Sequence, residues 1–239
     1  MTFSFREFEL SPYIFFVLSG MIIGLTLSNI IMRKKGVAKL SCFLASFLVA
    51  VSIFTFTFTG TFKGIDDLST IGFDGIYASA GLVLGAFMSS MIFREDKEKI
   101  MSSFICTAPL MYSVAKIGCF LVGCCRGFGY DGPFCVSYEA LGEVSFFPVQ
   151  LLDSVSFMLL FLMGLILVIR CKDLMRVTVI IIFAGISLRF ISDFLRISHE
   201  GCILSRTQII LLFAIIVVII ATGVIFYIGR KDGKEKEHE

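Results

Sequence analysis

The 239-residue chain contains no tryptophan and two histidines, and only 17% of it is charged. Each shortage excludes something. Without tryptophan, any aromatic belt at a membrane surface must lean on the six tyrosines. A charged fraction below the roughly 25% of soluble domains, with 57% hydrophobic residues, excludes a disordered chain and argues against an ordinary water-soluble globule. A net charge of +2 is no nucleic-acid signature. Eight cysteines in a chain of this length do not make a disulfide-dense mini-protein. No paired His/Cys spacing of the usual zinc kind is present, so neither a metal nor another cofactor is expected. The leader MTFSFREFELSP lacks the basic start of a cleaved signal, and its Phe3, Phe5, Phe8 and Leu10 suit a membrane surface.

What remains is apolar. The mean hydropathy is +0.93. A helix needs about 20 apolar residues to cross a bilayer. Runs of that kind lie near 13–32, 40–60, 71–93, 103–122, 149–169, 177–197 and 207–228. They lack the two-residue alternation of barrel strands. The expected fold is therefore all-α: one polytopic transmembrane domain over 1–239, with about seven membrane-spanning helices.

Lysine and arginine placement orients it. The loops after the first, third and fifth segments and the C-terminal tail carry 14 of the 21 basic residues, and the other side carries five. Positive charge marks the cytoplasmic side, which puts the N-terminus outside and the C-terminus in the cytoplasm. The 229–239 tail is then cytoplasmic and solvated, and the Gly/Cys-rich 123–148 loop faces outward.

An ionisable side chain in the bilayer centre costs about 2.5–3.5 kcal/mol on insertion scales, so each needs a reason. Asp74, Lys116, Asp153, Arg189 and Asp193 stand within or near the ends of segments. Arg189, Asp193 and Arg196 are spaced to share one helix face, either as an ion-paired stitch between helices or as a functional group. Lys116, Cys119 and Gly123 share a face in the fourth segment. Gln150 and Asp153 do so at the start of the fifth, where they could equally complement a helix N-terminus. Arg126, among Gly123, Gly127, Gly129 and Gly132, suits a phospholipid headgroup or is a snorkelling arginine in a flexible loop. His199, near the outer end of the sixth segment, is an outward proton acceptor or merely interfacial.

The Gly20/Gly24 and Gly81/Gly85 pairs favour close helix packing. Cys124, Cys125, Cys135 and Cys202 fall outside, where a bridge from Cys124 or Cys125 to Cys135 or Cys202 is one option.

Three segments in order resemble the prolipoprotein diacylglyceryl transferase family. They are Lys116-Ile-Gly-Cys-Phe-Leu-Val-Gly-Cys-Cys-Arg-Gly127, Phe147-Pro-Val-Gln-Leu-Leu-Asp153 and Arg189-Phe-Ile-Ser-Asp-Phe-Leu-Arg196. The chain looks like a divergent, cysteine-rich member. Lys116 stands where the family has arginine, Cys119 where it has asparagine, Cys124 where it has an acidic residue, and Ser79 at its third-helix histidine.

The resemblance implies a bacterial cytoplasmic-membrane enzyme with its active face outward. It would move a diacylglyceryl group from phosphatidylglycerol, or a similar anionic phospholipid, to the cysteine thiol of a lipobox in a prolipoprotein. Arg189, Arg126 and Lys116 would hold the phosphate and Asp193 would orient Arg189. Gln150 would bind a headgroup hydroxyl or a backbone group, and Gly127 would let the loop close over the lipid. Tyr77, Ser79 and His199 are the candidates for the base. The alternative is a member that lost catalysis and serves as a phospholipid-binding or membrane-assembly protein. A transporter fits less well, because seven segments do not divide into two equal repeats.

Overall fold

The computed structural model describes residues 3–5, 8–10, 12–62, 75–138, 144–197 and 203–235. Among them α1 spans Pro12–Lys34, α2 Lys39–Phe62, α3 Gly75–Ile92, α4 Lys97–Val122, α5 Val149–Arg170, α6 Leu174–Asp193 and α7 Arg206–Glu235. The first six are each long and apolar enough to cross a membrane, and α7 begins with the apolar stretch Arg206–Ile220. The protein is an all-α polytopic membrane protein. Two short antiparallel pairs accompany the helices: β1 (Phe3–Phe5) with β2 (Phe8–Leu10), and β3 (Val136–Ser137) with β4 (Ser145–Phe146).

The bundle is built around α4, which packs on α1, α3, α5 and α6. Lipid is as apolar as leucine, so burial of carbon alone does not drive helices together there; close backbone approach and interhelical hydrogen bonds do. Both are present. A Cβ on Gly24 would meet the Met111 side chain at 2.4 Å, and one on Gly81 would meet the Ser52 carbonyl oxygen at 2.7 Å. The two glycine pairs thus let α1 approach α4, and α3 approach α2. Ser28 and Thr107 hydroxyls lie 2.6 Å apart between α1 and α4, and Ser113 donates to the Ser154 carbonyl at 2.7 Å between α4 and α5. Phe43, Phe47, Leu159, Ile169 and Phe213 are exposed on the outside, as a lipid-facing surface requires.

Several boundaries differ from those read in the sequence. The fourth helix begins earlier, at Lys97, and runs unbroken through Pro109. The sixth stops at Asp193, and three-residue turns carry the chain on to Arg196, so Arg196 does not share a helical face with Arg189 and Asp193. The seventh helix continues to Glu235, so most of the charged 229–239 segment is helical. The leader's strands pair with Phe3 opposite Leu10. Its side chains, like Asp74, His199 and Cys202, lie outside the described residues.

The 123–148 segment is not a loose loop. Gly129 bridges to Phe146, and Gly127 bridges to Arg196 beyond α6. Cys124, Cys125 and Cys135 are free thiols, without the bridge to Cys135 weighed above.

Candidate functional site

The C-terminal ends of α4 and α6 and the N-terminal ends of α5 and α7 meet at one end of the bundle, and there the buried charges converge. Asp153, in the first turns of α5, and Asp193, at the end of α6, are each 1% exposed. Arg196 donates through an η nitrogen to Asp153 Oδ2 at 2.5 Å, and Lys116 Nζ approaches the same oxygen at 3.9 Å. Arg196 Nε lies 3.8 Å from Asp193 Oδ1, which also accepts from Arg189 at 2.9 Å. The result is a continuous chain, Lys116–Asp153–Arg196–Asp193–Arg189. Isolated, any one of these ions would be costly to bury; alternating signs make the set tolerable. Three cations face two carboxylates, which leaves one positive charge in this network.

Residues not singled out in the sequence complete it. The Ser205 hydroxyl donates to Asp193 Oδ2. Ser205 is also the N-cap of α7: the Gln208 backbone N–H donates to its Oγ at 3.1 Å, and its own N–H donates to Gln208 Oε1 at 2.9 Å. This reciprocal capping box is readable as Ser205-Arg-Thr-Gln208 before an apolar run. Tyr112, one turn before Lys116, sets its ring 5.0 Å under the ammonium, where the π face attracts a cation. Between α5 and α6 a cleft of about 90 Å³ reaches Asp153, walled by Leu152, Phe157, Leu188 and Ile191.

The cysteine-rich segment folds back onto the end of α4 for a local reason. Gly123, at φ +74°, ends the helix in the left-handed conformation. The Cys124 N–H donates to the Cys119 carbonyl and the Gly123 N–H to the Phe120 carbonyl, the two bonds of a Schellman cap. That cap returns Cys124 over Cys119. Cys125 follows with φ +53°, a conformation uncommon outside glycine. The sulfurs of Cys119, Cys124 and Cys125 consequently lie within 4.8 Å of one another. Hydrogen bonding from Cys119 and Cys124, with the Lys116 and Arg196 cations nearby, holds the Cys125 thiol well below the ordinary thiol range. The amide of Gln150, on the α5 turn preceding Asp153, donates to the Cys124 carbonyl at 2.9 Å, and its buried Oε1 has no hydrogen-bond partner.

Lys116, Cys119, Cys124, Gln150, Asp153, Arg189, Asp193 and Arg196 are thus assembled at one end of the bundle. The Arg126 guanidinium instead packs over the Phe146 ring, 5.0 Å from its centre. Gly127 is held between the Phe147 and Leu195 carbonyls, where a Cβ would come within 2.4 and 3.0 Å, so its lack of a side chain serves backbone packing. Gly123 faces the Tyr138 ring as well as capping α4. On α3, Ser79 is exposed and its hydroxyl donates to the Gly75 carbonyl of its own helix; Tyr77 sits half-buried two residues before it.

No curated protein matches the chain. A family model described as prolipoprotein diacylglyceryl transferase matches residues 1–227. That match spans every helix that contributes to the charged network and both sides of the cysteine fold-back, and the chain belongs to the prolipoprotein diacylglyceryl transferase family.

Proposed function

We propose that this protein transfers a diacylglyceryl group from phosphatidylglycerol, or a closely related anionic phospholipid, to the lipobox cysteine of a prolipoprotein at the outer face of a bacterial cytoplasmic membrane. The family match supports the reaction class. The observation that carries the site assignment is the convergence of three buried or half-buried cations, with Arg189 the one reachable from the surface, at the end of the bundle opposite the lysine- and arginine-rich turns. By the charge asymmetry of the loops, that end is extracytoplasmic.

The chemistry fits such a charge. A thiolate attacks a glyceryl carbon, the carbon–oxygen bond to phosphate breaks, and glycerol phosphate leaves with the electron pair. Negative charge grows on the departing phosphate, and fixed cations stabilise it without reorganising. Arg189 is the least buried of the three cations, with 15% of its side chain exposed, and is the one placed to meet a headgroup. Lys116 and Arg196 lie deeper and set the local field. Asp193 orients Arg189, and Gln150 Oε1 supplies an acceptor for a headgroup hydroxyl. The cleft beside Asp153 takes the first part of an acyl chain.

The test is lipidation of a lipobox peptide by purified protein in phosphatidylglycerol vesicles, read as a mass increase of one diacylglyceryl group. Arg189→Ala should lose activity by at least a hundredfold while staying folded, because Asp193 keeps Arg196 and Ser205. Unchanged turnover in that variant removes the site assignment.

A second reading, lipid binding without transfer, is favoured by Ser79, whose exposed hydroxyl is committed to its own helix. Phosphatidylglycerol binding with no lipidated product would select it.

A further inference from the structure

We propose that Cys119, Cys124 and Cys125 form a three-thiolate site for a zinc ion whose fourth position receives the acceptor cysteine. The inference deepens the transferase assignment and rests on it for the identity of the incoming thiol. Three sulfurs from a helix end and its fold-back lie within 4.8 Å of one another. Around a tetrahedral zinc with bonds of about 2.3 Å the sulfurs would stand about 3.8 Å apart, inside the 4.8 Å span they have here. Sequence spacing hides the site, because two ligands follow a left-handed turn and none is histidine.

The surroundings suit an ion with three thiolates. Such a centre carries a net charge of −1. Lys116, one turn before Cys119, brings a compensating ammonium. Gln150 ties the Cys124 carbonyl down, which fixes the fold-back that carries two of the three sulfurs. Three protein ligands and one open place is the arrangement of catalytic rather than structural zinc, and thiolate ligands select a thiophilic metal.

The site supplies what α3 lacks. A thiol that coordinates zinc is deprotonated by doing so, and no side-chain base is then required. The acceptor thiol binds and its proton passes to water. The zinc-bound sulfur then forms a bond to the glyceryl carbon as the carbon–oxygen bond to phosphate breaks, and the electron pair leaves with glycerol phosphate. Nothing is oxidised or reduced. The product thioether is a weaker ligand than a thiolate and gives way to water.

The experiment uses full-length protein in detergent with reductant, stripped of metal and titrated with cobalt(II) as a spectroscopic substitute and with zinc in competition. One equivalent with a tetrahedral thiolate spectrum is expected, displaced by zinc. Cys119→Ser and Cys125→Ser should each weaken binding at least tenfold, and Cys135→Ser should not. Adding a lipobox peptide should change the cobalt spectrum, and the same peptide with serine in place of cysteine should not. Absence of stoichiometric cobalt in the wild-type protein overturns the site without reference to any variant, as does equal affinity in a folded Cys119→Ser protein. Full-rate lipidation by zinc-free protein overturns the role of the metal and leaves the transferase standing. Peptide thiol bound to the metal with no transfer upholds the site and overturns the transferase.

Discussion

The guanidinium of Arg196 donates to the carboxylate of Asp153 at 2.5 Å, although the two are 43 positions apart in the chain. The contact joins the turn after α6 to the first turns of α5. Each partner is also held by a second ion of opposite sign, Asp193 for Arg196 and Lys116 for Asp153. Removing one member therefore exposes two others, and the consequences differ by member.

Asp153→Asn removes the carboxylate between two buried cations. Leaving buried charge uncompensated costs about 3–5 kcal/mol. A large drop in the unfolding midpoint, followed in detergent by denaturant or heat, is expected. A change below about 1 kcal/mol would mean that Lys116 and Arg196 find other counter-charges.

Lys116→Met acts in the opposite sense. Asp153 keeps Arg196, so the fold should survive, while the network falls from one excess positive charge to none. A unit charge about 8 Å away at an effective dielectric of about 20 is worth roughly 2 kcal/mol, so affinity for phosphatidylglycerol in nanodiscs should fall by roughly tenfold or more. Lys116→Arg should retain it. Equal affinity in the methionine variant would remove Lys116 from the anion site.

Ser205→Ala loses a helix cap and the donor to Asp193 together. A cap alone is worth about 1 kcal/mol. The expected loss is about 2 kcal/mol or more in unfolding measurements, mostly restored by Ser205→Thr, which keeps the hydroxyl. Loss of about 1 kcal/mol alone would show that the bond to Asp193 adds nothing.

Two glycines of one segment should respond differently. A Cβ at Gly127 would stand 2.4 Å from the Phe147 carbonyl oxygen, whereas nothing lies within 4 Å of one at Gly129. Gly127→Ala should destabilise by about 1–3 kcal/mol and speed proteolysis of the segment. Gly129→Ala should leave both measurements near wild type.

The fold was legible because lipid demands long apolar helices, though the charged separators do not mark their ends: α4 starts among them at Lys97 and α7 runs through them to Glu235. Lys116, Asp153, Arg189 and Asp193 were legible for the same reason: a charge in an apolar run is conspicuous. Their pairing was not. Arg196 reads as the third member of a helical stripe, but α6 ends at Asp193 and the turn beyond sends Arg196 to α5 instead. The thiol trio was hidden by Gly123, whose left-handed turn changes a linear spacing into a spatial cluster. Ser205 and Gln208 carried a readable capping signature, though nothing in the sequence tied that cap to Asp193.

The main chain around Arg196 is sewn to the segment after α4: Phe128 donates to Leu195, and Ile197 donates to Arg126. Swinging that segment aside like a hatch would drag the guanidinium off its seat and undo the electrostatics on which the chemistry depends. The roof over the ion pairs is therefore masonry mortared to them, and on the proposed reaction a two-tailed substrate would enter through the walls, between neighbouring rods, rather than by lifting it.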